Sequence, residues 1–84
     1  MLQRFSELSQ QVDLTAARLE RLLDDYGLYV DTDQAHFLKG YLRSLQLDFE
    51  MAMTRGEESH LQLILEDVGN LLDDASVRLK QSLK

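Results

Sequence analysis

The chain has 84 residues, 44% of them apolar and 29% charged, with no cysteine, no proline and a net charge of −6. This length is read as one helical domain over residues 1–84, with a core that is thin unless packed well or shared with a second subunit. The apolar content excludes a disordered chain, and the absence of cysteine excludes disulfides, thiol nucleophiles and cysteine-ligated zinc. The acidic balance repels phosphate backbones, so direct nucleic-acid binding is not expected.

Met1 leads to Arg4, Ser6 and Glu7 without the apolar run of a signal peptide, and no later stretch is long enough to span a bilayer. A cytoplasmic protein away from membranes is expected.

The first predicted helix covers about residues 2–26 and keeps a seven-residue pattern. Phe5, Val12, Leu19 and Tyr26 share one position, Leu8, Thr15 and Leu22 another, and Ala16 and Leu23 lie beside them. Glycine tolerates the left-handed conformation that closes a helix, so Gly27 is the expected stop, with Leu28 folding back on Leu23.

The second predicted helix covers about residues 32–55, and Asp31 with Gln34 reads as its capping box. It carries two apolar stripes. Leu38, Leu42, Leu45, Phe49 and Ala52 recur at steps of four and three residues, as do Phe37, Gly40, Ser44, Leu47 and Met51, which are rotated by about 100°. Two arrangements use both stripes. In one, the helix touches both of its neighbours within the domain. In the other, the second stripe serves a partner helix or a second copy, with Phe37, Tyr41, Leu47 and Met51 as anchors and Gly40 and Ser44 as points of close approach.

The third predicted helix covers about residues 58–83, with Leu61, Ile64, Leu65, Val68, Leu71, Leu72, Ala75 and Leu79 on one broad face. Ser59 with Gln62, or Thr54 with Glu57, supplies a capping pair for its start. Gly69 is expected at a close helix contact or a bend. Short connections favour antiparallel neighbours. The expected fold is therefore an all-α, up-down-up three-helix bundle that dimerises.

Asp24, Asp25, Asp31 and Asp33 fall around the first turn and form an expected acidic patch for a basic partner. An alternative reading is a metal-binding bundle that uses Asp31, Asp33, His36, Glu57 and His60; another is an acidic regulator that mimics nucleic acid. The run from Asp31 lacks the sixth-position glycine and closing glutamate of a Ca²⁺ loop, so no metal and no cofactor are expected. With no Gly-rich phosphate loop, no nucleophile turn and two histidines, the chain is not expected to be an enzyme.

Ser44-Leu45-Gln46-Leu47-Asp48 resembles the Ser-Gln-Glu-Leu-Asp signature of small helical-hairpin phosphatases of sporulation response regulators, matching it at Ser44, Leu47 and Asp48. That resemblance implies phosphatase activity, which is not carried over, because Leu45 and Gln46 depart from the signature. The segment from Leu47 to Glu58, with the third helix, is similar in style to the small helical co-chaperones of type III secretion needles. That likeness implies function by sequestering a helix. The expected function is a non-catalytic adaptor, regulator or chaperone-like module that binds another protein.

Overall fold

A computed structural model describes residues 2–83, with side chains from residue 4 onward. Residues 1 and 84 of the expected span lie outside the described residues. Three helices pack against one another: α1 (Leu2–Tyr29), α2 (Thr32–Arg55) and α3 (Glu58–Ser82).

The α1 seam forms as the seven-residue pattern requires. Val12, Ala16, Leu19, Leu23 and Tyr26 are buried, with Phe5, Leu8 and Leu22 packed against them at the margins. Thr15 interrupts the apolar run without leaving a stranded hydroxyl, because its Oγ1 donates to the Gln11 carbonyl at 2.7 Å.

Gly27 does not stop α1. The helix runs on to Tyr29, and the only positive-φ residue among those described is Gly56. Gly27 serves instead where α1 and α2 come together, since a Cβ there would stand 3.2 Å from Ala35 Cβ. Leu28 is exposed and does not fold back on Leu23. The turn closes when the amides of Val30 and Asp31 both donate to the Tyr26 carbonyl, and Thr32 Oγ1 donates to that of Gly27 at 2.9 Å.

Half of the expected capping box forms at α2. The Gln34 amide donates to Asp31 Oδ1 at 3.0 Å, but the Gln34 side chain does not return to the cap. Its Oε1 instead accepts from the Tyr26 hydroxyl at 2.7 Å. A buried phenol needs a partner for its O–H, and Gln34 is the group within reach.

At the far end of α2, Gly56 takes φ 69° and ψ 31°, and its amide reaches the carbonyls of Ala52 and Met53. Neither expected capping pair operates at α3. Glu57 is the N-cap without a side-chain bond, Ser59 lies inside the helix, and Thr54 Oγ1 donates back to the Glu50 carbonyl. Gly69 marks no close contact, because a Cβ there would meet nothing within 4 Å.

α3 lends Leu61, Ile64, Val68, Ala75 and Leu79 to the core. α1 packs most extensively on α3, and the α2–α3 contact is the smallest of the three. Two of the four buried α2 residues, Ala35 and Ala52, are alanines, so α2 is the helix least engaged by its neighbours. An ion pair at 2.8 Å joins Arg4 in the first turns of α1 to Glu58 at the start of α3.

The molecule measures 45 × 20 × 15 Å and has a radius of gyration of 13.7 Å, against about 12 Å for a compact chain of this length. Its accessible surface is 6003 Å², where a compact monomer of this mass exposes about 5,100 Å².

Candidate functional site

The two stripes of α2 part company in the fold. Leu42, Leu45 and Ala52 of the first stripe are buried, with Leu38 and Phe49 packed against the core beside them. The second stripe faces away from α1 and α3. Phe37 is 72% exposed, Tyr41 44%, Leu47 59% and Met51 50%, and Gly40 and Ser44 between them are also open to solvent. The arrangement in which both stripes are covered by neighbouring helices is therefore not the one adopted.

A 3.6-residue period accounts for this. Burying the Leu42–Leu45 face turns positions 37, 40, 44, 47 and 51 away from the packed side of the helix. From Phe37 to Met51 the exposed stripe runs for about 21 Å at 1.5 Å per residue.

The middle of the stripe is low and largely apolar. A Cβ added at Gly40 would meet nothing within 4 Å. Ser44 Oγ donates to the Gly40 carbonyl at 3.3 Å, which commits the hydroxyl to its own helix. Toward the C-terminal end, a shallow open depression is lined by Leu47, Glu50, Met51, Thr54 and Arg55. Charges of opposite sign mark the two ends of the helix, with Asp33 in the first turn and Arg55 in the last, each placed favourably for the helix dipole.

The four carboxylates expected to form an acidic patch are all exposed, but two have local work. Asp24 pairs with Lys39 at 2.7 Å, linking α1 to α2, and Asp31 caps α2. Because α1 continues to Tyr29, Asp24 and Asp25 stand a turn back from the helix end, where the unfavourable dipole is weaker than their expected place would give.

The residues of the metal-binding alternative do not converge. Asp31, Asp33 and His36 lie at one end of α2, while Glu57 and His60 lie beyond its other end. Among the described residues no group of three or more metal-ligating side chains comes together. No helix among them is long and apolar enough to cross a membrane.

One polar cluster escapes sequence reasoning. Tyr26 from α1, Gln34 from α2 and Arg78 from α3 line a small cleft with Leu38, Leu71, Asp74 and Ala75. The Tyr26 hydroxyl, and after it the Asp74 carboxylate, raise the Arg78 guanidinium above its ordinary value. The one available signal was Tyr26 itself, whose seam position buries a ring that carries a hydroxyl.

Compared with models of known protein families, with characterised proteins and with solved structures, the chain matches none.

Proposed function

We propose that this chain is a non-catalytic protein-interaction module, an adaptor, regulator or chaperone-like protein that binds another protein through the outer face of α2. The observation that carries this reading is the exposure of the five stripe residues, Phe37, Gly40, Ser44, Leu47 and Met51, together with Tyr41 beside them, on the outer side of one helix. Scattered exposed apolar residues are ordinary, whereas a contiguous row with large anchors around small residues is the surface that helix-in-groove recognition uses.

The reading includes an up-down-up order of the helices and a dimeric state. The Arg4–Glu58 pair between the starts of α1 and α3, and the Tyr26–Gln34 bond across the first turn, support alternating directions. The surplus of accessible surface supports association. The exposed carboxylates around the first turn, Asp25 foremost, give a basic partner its point of approach, in the cytoplasmic setting expected for the chain.

The test is Leu47→Glu, which places a charge at the centre of the face. Helix content stays close to the parent while association is lost. A collapse of helix content would put Leu47 in the core and end the reading.

A further inference from the structure

We propose that the occupant of the α2 face is a second copy of the chain, paired antiparallel about a two-fold axis that passes through Ser44. This rests on the reading of that face as an association surface and names its partner. The argument is self-complementarity, the property that any isologous contact requires.

Ser44 lies midway between Phe37 and Met51, and antiparallel pairing about it sets each anchor against a suitable mate. Phe37 meets Met51 of the second copy, a ring against a flexible thioether that favours aromatic contact. Leu47 lies over Gly40 of the second copy, where the missing Cβ leaves open space in the single chain. The small residues Gly40 and Ser44 allow the two backbones to approach at the axis.

The polar residues follow the same symmetry. Asp33 in the first turn of α2 comes opposite Arg55 in the last turn of the second copy. Arg55 is available for this, because its contact with Glu57 is long at 3.9 Å and its side chain is 63% exposed. Tyr41 comes beside Asp48 of the second copy, where its hydroxyl has a carboxylate to donate to. The symmetry repeats every one of these pairs. Parallel pairing would instead set Asp33 against Asp33 and Arg55 against Arg55.

The amount of exposed surface is large enough for such a contact. The 6003 Å² that the chain exposes exceeds the compact expectation of about 5,100 Å² by roughly the 800 Å² that one partner contributes to a standard interface.

Because the chain has no cysteine, single cysteines report the register directly. In the full chain, Ser44→Cys is expected to cross-link to itself through a short bismaleimide. Asp33→Cys is not, since its symmetry mate lies about 33 Å away along the helix. An equal mixture of Asp33→Cys and Arg55→Cys chains links one to the other. Adding Leu47→Glu to Ser44→Cys lowers the yield at least tenfold while circular dichroism stays helical.

Self-linking of Asp33→Cys would overturn the antiparallel register. A purified chain that scatters light as a monomer at every concentration, with no Ser44→Cys product, would overturn the second-copy assignment. The wider reading falls only on the other result, loss of helix content in Leu47→Glu alone.

Discussion

The hydroxyl of Tyr26 donates to Gln34 Oε1 at 2.7 Å, joining the last turns of α1 to the first turn of α2 from a fully buried ring. Arg78 of α3 lines the same cleft, so residues of all three helices meet at this end of the molecule. Tyr26→Phe keeps the ring packed and removes only this bond. It is expected to cost about 1 kcal/mol, because a net hydrogen bond contributes that much and Gln34 is left half-buried without its donor. Urea denaturation measures the loss; Tyr41→Phe, on the exposed face, serves as the control and leaves monomer stability unchanged.

The four glycines separate by what surrounds them. Gly69→Ala fills open space inside a helix and should raise stability by up to about 1 kcal/mol. Gly56→Ala places a Cβ at φ 69° and should lower stability by about the same amount. Gly27→Val drives a branched side chain into Ala35, already 3.2 Å from a modest Cβ, and should destabilise by about 1–3 kcal/mol. Gly40→Ala is the informative case: it stabilises the single chain as Gly69→Ala does, yet weakens self-association by standing under Leu47 of the second copy. Thermal melts and sedimentation at matched concentrations distinguish the two effects.

Two leucines in opposite surroundings give the cleanest contrast. Leu23 is fully enclosed, and Leu23→Ala should cost about 2–5 kcal/mol through lost burial and the cavity left behind. Leu47→Ala, at a position 59% exposed, should change monomer stability by less than about 0.5 kcal/mol. Denaturant midpoints at a concentration low enough to keep the chain monomeric check both.

The surface ion pair between Lys39 and Asp24 is short at 2.7 Å, but Asp24 is largely in solvent and Lys39 is half-buried. Lys39→Ala is therefore expected to lose at most about 1 kcal/mol, and the loss should shrink as salt is added. A loss that is independent of salt would show that Lys39 contributes through packing of its stem.

The seam of α1, the Leu42–Leu45 face of α2 and the apolar face of α3 were legible because amphipathic periodicity reports burial directly. The end of α1 was not. A glycine after an apolar run signals a left-handed stop, but Gly27 is there to let Ala35 approach, and nothing within a few residues of it distinguishes the two uses. The half-formed capping box failed for a related reason, since Gln34 answers to a hydroxyl eight residues away rather than to its own cap. At α3, Ser59 and Gln62 had the right spacing, yet the helix begins before them at Glu58 and leaves no orphan amide for Ser59 to cap.

The second stripe of α2 was visible as a pattern, but the pattern alone left its partner open. Two stripes on one helix are equally compatible with two neighbours inside the bundle and with one neighbour outside it. Packing decides between them: α1 and α3 engage each other most extensively, and α2 lies against them through Leu42, Leu45 and two small alanines, with Leu38 and Phe49 at the margin. The face of Phe37 and Leu47 is left over.

The most direct measurement is molar mass by light scattering, run for the parent chain and for Leu47→Glu over a wide range of concentration with circular dichroism on the same samples. The parent is expected to rise from the 9.7 kDa of one chain toward twice that mass, while Leu47→Glu stays at one chain and remains equally helical. Equal masses for the two proteins would contradict the pairing of the α2 outer face with a second copy, and a Leu47→Glu chain that has lost its helices would contradict the assignment of that face as an association surface.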